Sequence, residues 1–290
     1  MKFRDLRKQY ELNRSNIDNA IETVLDSANF IQGFQVRELE EELADFAGVR
    51  HCIACANGTD ALQLALMVWN IGKDDLVFVP DFTFFSSGEV VAAVGAVPVF
   101  VDVTPDTYNI DAQKLEAAIQ RAFKEGKGTP KAIVAVDLFG QPADYGIIRE
   151  IAEKYGLYIL EDAAQGFGGA IGEKRACSFG DISTTSFFPA KPLGCYGDGG
   201  AIFTDNDEWA QILKSLTMHG KGQSKYDNVR VGMNSRLDTM QAAVLLAKLP
   251  VFIRHELDAC NRLAAYYGER LKDVVKVPVV KEGYSSSWAQ

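Results

Sequence analysis

Apolar residues recur along this chain with two periods, one typical of helices and one typical of strands. Near the N-terminus they form stripes that predict helices over 15–28, capped by Ser15, and over 35–46, ended by Gly48. From there, short apolar segments alternate with helical stretches. This alternation predicts an α/β fold, in which a mostly parallel sheet is covered by helices on both faces.

Seven apolar segments fit strands, and the stretches between and after them fit helices. The predicted strands are 52–55, 76–79, 97–101, 132–136, 157–160, 182–186 and 200–204. The predicted helices that follow the first strand are 59–69, 86–94, 112–124, 147–155, 209–218, 239–248 and 250–274. The polar, glycine-containing stretch 219–236 predicts a long loop, and loops of this length usually have a function.

Charge and composition exclude several classes of protein. The 290 residues include 30 basic and 39 acidic ones, and the resulting net charge of −9 argues against a nucleic-acid-binding surface. No apolar run approaches the roughly 18 residues of a membrane span, and no hydrophobic leader follows Met1. We therefore expect a cytoplasmic protein with no membrane or nucleic-acid partner, whose five cysteines are reduced.

Cys52 and Cys55 have the C-x-x-C spacing of redox and metal sites, but they lie in a predicted strand. Residues three apart in a strand point to opposite faces of the sheet, so a shared ligand is disfavoured. The chain has only three histidines and no second cysteine pair. We therefore predict no metal site.

Lys191 is the most informative residue, because its neighbours Phe188, Pro189 and Pro192 are apolar. Desolvation lowers the pKa of an amine and frees the neutral form, which can form a Schiff base with a carbonyl. The hydroxyl of Ser186, five positions earlier, could donate a hydrogen bond to a phosphate. A surface serine and lysine are the alternative, which the apolar neighbours make less convincing.

Asp162 follows the predicted strand 157–160, and ligands of open α/β sheets bind at the carboxyl ends of strands. A carboxylate there could keep the pyridinium nitrogen of pyridoxal 5'-phosphate (PLP) protonated. A helix N-cap beside a solvated Glu161 is the structural alternative. Taken together, Lys191 and Asp162 predict a PLP enzyme.

Two further segments give weaker signals. Gly58 allows a tight turn from strand to helix, where the amides of Thr59 and Asp60 suit a phosphate, although an ordinary N-cap has the same sequence. Phe84 follows a strand and could stack on a flat ring or pack in the core. The run 166–171 lacks the third glycine of G-x-G-x-x-G, so we reject a dinucleotide site.

Four blocks in order resemble the DegT/StrS-type sugar aminotransferases, which are fold-type-I PLP enzymes that act on nucleotide-linked keto sugars. The resemblance runs from Phe3 to the last residue. The segment from Ser186 to Gly200 looks most like enzymes that aminate a UDP-linked 3-oxo-2-acetamido-glucuronate. The four blocks are 57–62, 161–165, 186–200 and 234–238.

The resemblance implies a role for each residue of a PLP site. Lys191 would hold the cofactor covalently, and Asp162 would pair with its pyridinium nitrogen. Arg236 would bind a substrate carboxylate, and Asn234 would reach the phosphate from a second subunit, which implies a homodimer with shared active sites. The remaining cofactor-binding residues would be Gln165 near the ring hydroxyl, Phe84 stacked on the ring, and Gly58, Thr59, Asp60 and Ser186 around the phosphate.

The implied activity is transfer of an amino group from L-glutamate to a keto group of a nucleotide sugar. Carbon C3 of a UDP-uronate is the preferred acceptor, in polysaccharide or O-antigen (lipopolysaccharide) precursor synthesis. A keto sugar aminated at C4 and a non-catalytic sensor of the same fold stay open. A related dehydratase is disfavoured, because it has a histidine in place of Lys191. The resemblance also implies a large PLP-binding domain over 1–248 and the start of a small, incomplete C-terminal domain over 249–290.

Overall fold

The computed structural model describes residues 4–224 and 226–290. Phe3, where the family resemblance begins, and Lys225, in the predicted loop, lie outside the described residues. The helices are α1 (Leu6–Leu12), α2 (Arg14–Ser27), α3 (Phe34–Ala47), α4 (Gly58–Val68), α5 (Ser86–Ala93), α6 (Ala112–Glu125), α7 (Tyr145–Tyr155), α8 (Asp207–Leu216), α9 (Thr239–Val251) and α10 (Leu257–Leu271). The strands are β1 (His51–Cys55), β2 (Asp75–Pro80), β3 (Val97–Val101), β4 (Thr129–Val136), β5 (Tyr158–Asp162), β6 (Ala170–Ile171), β7 (Lys174–Arg175), β8 (Ile182–Ser186), β9 (Gly200–Thr204) and β10 (Tyr284–Ser285).

Seven strands form one sheet in the order β1-β9-β8-β5-β4-β2-β3. Five of them, β8, β5, β4, β2 and β3, are parallel to one another. Strand β9 pairs antiparallel with both β8 and β1, because the chain turns back within 187–199. All seven predicted strands lie in this sheet, so the predicted α/β fold with a mostly parallel sheet is confirmed.

Helices cover both faces of the sheet, and a separate apolar cluster fills each interface. Helices α3, α6, α7 and α9 contribute to one cluster, and α4, α5 and α8 contribute to the other. Within β2, Phe78 belongs to the first cluster and Val77 to the second, as expected for a strand buried on both faces. Cys52 and Cys55 are likewise split between the clusters, and both are free thiols.

The helical predictions need three corrections. Helix α1 was not predicted, and α2 begins after Asn13, so Ser15 lies in its first turn and is not the cap. Helix α9 does not end at 248 but continues through Pro250. A π turn, Phe252–Glu256, follows α9 directly and continues into α10 without a break. Because Pro250 has no N–H, one hydrogen bond of the regular helical ladder is missing just before this turn. The division into domains at 248 therefore lies inside α9 and stays a prediction.

A second, smaller sheet has the order β10-β6-β7 and was not predicted, because each of its strands is only two residues long. In this sheet β10, near the end of the chain, pairs with β6 in the segment that follows β5. Among the described helices, none combines the length and the apolar character that a membrane crossing needs.

The parallel strands bring their carboxyl ends to one edge of the sheet. Asp162 is the last residue of β5, and Ser186 is the last residue of β8. Gly58 follows β1, and Phe84 follows β2. The predicted cofactor residues therefore come from four separate strand ends that the topology places side by side.

Candidate active site

A cavity of about 540 Å³ opens at this edge, a volume in the usual range for small-molecule sites. Seven of the predicted site residues line it. These are Gly58, Thr59, Phe84, Asp162, Gln165, Ser186 and Lys191, and they are joined by Asn57, Leu62, Thr83, Ser86, Val136, Ala164, Phe188, Ala190, Asp198, Ala289 and Gln290.

Lys191 lies in a tight loop between β8 and β9. Its amide donates to the carbonyl of Phe188 at 2.8 Å, and the amide of Cys195 donates to Phe187 at 2.8 Å. Burial lowers the pKa of the Lys191 amine, the charge of Asp162 opposes this effect, and the charge of Arg4 adds to it. The amine lies 6.0 Å from the centre of the Phe84 ring. A lysine with these surroundings has a larger neutral fraction than a solvated one.

Asp162 is 5% exposed and faces the same cavity. The hydroxyl of Ser87 donates to its Oδ2 at 2.8 Å, and the amide of Ala164 donates to Oδ1 at 3.2 Å. Burial raises the pKa of this carboxyl, whereas these two hydrogen bonds and the charge of Lys191 lower it. The preceding residue, Glu161, is fully buried, so the structural alternative with a solvated Glu161 is wrong.

The turn before α4 packs closely against the end of β8. A Cβ atom on Gly58 would lie 2.7 Å from the Cβ of Ser186, so only glycine allows this approach. The Asn57 side chain accepts from the amide of Asp60 at 2.8 Å. The Asp60 amide is therefore already paired in the single chain, and Asp60 is not among the residues that line the cavity. Its role beside a phosphate stays a prediction. Thr59 hydrogen-bonds Ser86 at 2.8 Å.

Gln165 and Phe84 both reach the cavity. The Oε1 atom of Gln165 accepts from the amide of Phe139 at 2.6 Å, which fixes its side chain. Phe84 is 66% exposed, while Phe82 packs against Tyr108 with ring centres 6.0 Å apart. Phe85 is also exposed, but of the three phenylalanines in the run 82–85 Phe84 is the one that lines the cavity.

Asn234 and Arg236 do not line the cavity of the single chain. Asn234 is exposed and forms a bridge with Met218, and Arg236 is half-buried in the same segment. Their predicted roles toward phosphate and substrate are therefore not tested by one chain.

Several polar groups of the site were not predicted. Ser87 bonds Asp162, Thr83 bonds Ser87 at 2.9 Å, and Ser86 and Asp198 line the cavity. A pair of serines that opens a helix just after a parallel strand was the available signal for Ser86 and Ser87.

The residues present fit PLP. A buried carboxylate, Asp162, suits the ring nitrogen, and the largely desolvated amine of Lys191 suits the aldehyde. Hydroxyls of Thr59, Ser86 and Ser186, around a glycine without room for a side chain, suit a phosphate.

The family comparison agrees with this geometry. Residues 12–290 match the model of the DegT/DnrJ/EryC1/StrS aminotransferase family. Among curated proteins, a UDP-2-acetamido-2-deoxy-3-oxo-D-glucuronate aminotransferase from Pseudomonas aeruginosa is 47% identical over 293 residues, covering 100% of this chain and 79% of that protein.

Solved structures share the fold over almost the whole chain. A DegT DnrJ EryC1 StrS aminotransferase from Brucella abortus is 54% identical with a TM-score of 0.99, covering 100% of this chain and 78% of that one. A Bacillus subtilis protein, NtdA, solved with bound cofactor PMP, is 32% identical with a TM-score of 0.86, covering 96% of this chain and 62% of that one.

Replacing the buried carboxyl in Asp162→Asn is expected to stabilise the cofactor-free protein at high pH. The raised pKa means that the folded wild type holds a proton that the unfolded chain has already lost. The free energy of unfolding of the wild type therefore falls as the pH rises from the pKa of Asp162 in the unfolded chain to its higher pKa in the folded protein. We expect a gain for Asp162→Asn of about 1–3 kcal/mol at pH 8 and a smaller one at pH 4, measured by urea unfolding.

The matched control is Asp26→Asn, at an exposed position of α2, which should leave the unfolding free energy unchanged at both values of pH. A difference between Asp162→Asn and wild type that is the same at pH 4 and pH 8 would contradict the prediction.

Proposed function

Because the chain belongs to the DegT/DnrJ/EryC1/StrS aminotransferase family, we propose that it moves an amino group from L-glutamate to the C3 keto group of a UDP-linked 2-acetamido-3-oxo-glucuronate. The observation that carries the proposal is the desolvated amine of Lys191 in one cavity with the buried carboxylate of Asp162. The product is an amino sugar of the kind used in polysaccharide or O-antigen precursors.

The cofactor of this family is PLP, which supplies an electron sink for the bonds of the carbon that carries the amino group. Lys191 would hold it through Nζ, and Asp162 would accept a hydrogen bond from its ring nitrogen. Ser87 and Ala164 keep the Asp162 carboxylate oriented by donating to its two oxygens. Phe84 would cover one face of the ring, and Gln165 would lie beside the ring hydroxyl.

Lys191 has a second task after the amino donor has arrived. Its neutral Nζ would accept the proton from the α-carbon of glutamate and return a proton to C3 of the sugar in the second half-reaction. A general base works best with a pKa near the working pH. Burial moves the pKa of Lys191 in that direction.

Substrate choice is proposed to depend on Arg236. A guanidinium group binds a carboxylate through two parallel hydrogen bonds, and a uronate carries such a carboxylate at C6. The similarity to the Pseudomonas aeruginosa enzyme, whose name specifies a 3-oxo-glucuronate, supports this assignment over a sugar aminated at C4.

A homodimer would complete the site. Large apolar side chains near the cavity and in the loop 219–236 are exposed in the single chain, and large exposed apolar surface often marks a binding site for a partner. Phe84, Phe85 and Val231 are 66%, 75% and 88% exposed. We propose that a second copy covers these side chains and brings its Asn234 to the phosphate.

Lys191→Ala is expected to bind PLP only non-covalently and to lose turnover by at least about a thousandfold, because the amine that attaches the cofactor and moves the proton is gone. The test loads the protein with PLP and follows its visible absorbance while L-glutamate is added without a sugar. In the wild type the band should disappear as an equal amount of 2-oxoglutarate is released. The control is Lys124→Ala, at an exposed position of α6, and turnover retained in Lys191→Ala would reject the proposal.

Arg236→Ala is expected to lower kcat/KM for the 3-oxo-uronate by about 10–100-fold, the usual effect of losing a hydrogen bond between charged groups. The half-reaction with glutamate and the turnover of a neutral 3-oxo sugar that lacks the C6 carboxylate should be unchanged. The exposed Arg121→Ala serves as the control. An equal loss in the glutamate half-reaction would assign Arg236 to the donor and remove the argument for a uronate.

Shared active sites predict that two inactive variants restore each other. Lys191→Ala and Asn234→Ala are mixed, unfolded together and refolded. With random pairing, half of the dimers are heterodimers. One of the two sites in each heterodimer is intact, so about a quarter of all sites, and about a quarter of the wild-type activity, should be recovered. Mixtures without recovered activity would place Asn234 and Lys191 in the same subunit's site.

A further inference from the structure

Two cationic side chains donate hydrogen bonds to backbone carbonyls of the loop that carries Lys191, here called the lysine loop (188–194). Nζ of Lys248, in α9, donates to the carbonyl oxygen of Gly194. Nη1 of Arg4 donates to the carbonyl oxygen of Lys191 at 3.0 Å and lies 3.4 Å from that of Pro192. Neither cation lines the active-site cavity.

Lys248 is an unusual residue for its position, because it is only 4% exposed. Burial lowers the pKa of its amine to about 8, the charges of Glu256 and Cys195 oppose this shift, and Arg4 adds to it. The ring of Tyr196 lies 5.3 Å from Nζ. Burying an amine costs free energy unless it is well paired, so an apolar side chain would serve the core of α9 better.

The lysine loop needs such anchors, because few of its own groups pair with each other. Its internal hydrogen bond joins the amide of Lys191 to Phe188, and a Cβ on Gly194 would lie 2.4 Å from the Pro189 carbonyl. The loop is therefore tightly folded, yet its carbonyls at 191 and 194 point away from the cavity toward the N-terminal segment and α9. The two cations bind these carbonyls.

We propose that Lys248 is a positioning residue for Lys191, which fixes the lysine loop through Gly194, with Arg4 as the second anchor. The inference rests on the proposed role of Lys191 as the amine that holds the cofactor. Displacing a reacting group by about 1 Å can cost a hundredfold in rate, so an anchor on a rigid helix has a clear advantage over a free loop.

A double-mutant cycle on PLP affinity tests the inference without measuring turnover. PLP binding is titrated by fluorescence in wild type, Lys248→Met, Lys191→Ala and the double variant. We expect Lys248→Met to weaken binding by about tenfold where Lys191 is present and by less than about twofold in Lys191→Ala, since coupled residues are not additive. Methionine keeps an unbranched side chain, one heavy atom shorter than that of lysine, and removes the donor.

The outcomes separate the inference from the proposed function. An equal loss in both backgrounds, or no loss in either, would overturn the positioning role alone. Lys191→Ala that binds PLP as tightly as wild type would overturn the proposed function and the inference with it. The exposed Lys272→Met is the control, and thermal melting checks that each variant is folded.

Arg4→Gln supplies an independent readout and replaces Lys248→Met in the cycle if that variant does not fold. The rate at which acetic anhydride modifies Lys191 in the cofactor-free protein is followed against pH by mass spectrometry. Asp162 and Arg4 are the charged groups that act on this amine. Removing Arg4 should raise the pKa of Lys191, so labelling at pH 8 should fall by about threefold and recover at high pH. An unchanged pH profile would contradict an effect of the Arg4 charge on Lys191, whereas an equal loss of PLP affinity for Arg4→Gln with and without Lys191 would contradict its role as an anchor.

Discussion

The candidate site depends on the attraction between a buried carboxylate and a largely buried amine that line the same cavity. Asp162 and Lys191 lie in segments of the chain that meet only because β5 and β8 pair in parallel. Water that would stabilise both charges is mostly excluded, so each charge is stabilised by the other, and Asp162 also by two hydrogen bonds. The two pKa values are moved toward each other, and this is the property that acid–base chemistry needs.

The sequence was sufficient to predict the sheet and to single out Asp162 and Lys191, which the structure brings to one cavity and whose roles are proposals. The strands were predictable because buried parallel strands are continuous apolar runs, and Lys191 because its neighbours are apolar. The contacts of Ser87 and Lys248 were not predictable, since their partners Asp162 and Gly194 are distant in sequence, although the position of Ser87 at the start of a helix after a parallel strand gave a signal for it. At 57–60 the sequence left open a phosphate site or an ordinary N-cap, and in the single chain Asn57 caps the helix by accepting from the Asp60 amide.

Around the site, buried charged side chains lower the stability of the fold but place reactive groups accurately. Burial raises the pKa of Asp162 and lowers that of Lys191 and of Lys248, so each charged form costs free energy in the folded state. Apolar residues at these positions would pack at lower cost. Asp162 and the lysine loop both border the active-site cavity, and a requirement for accurate placement there explains why charged groups are kept, while the two apolar clusters stabilise the sheet.

Glu161 and Asp162 show how one strand gives two neighbouring carboxyls different roles. Successive side chains of a strand point to opposite faces. Glu161 accepts from the amides of Cys177 at 2.6 Å and Phe179 at 2.7 Å and from the Ser183 hydroxyl at 2.7 Å, so its oxygens are occupied. Asp162 has only two donors and faces the cavity. Since a carboxylate offers about four acceptor positions, Asp162 has capacity left for a ring nitrogen, whereas Glu161 locks β5 to the turn before β8.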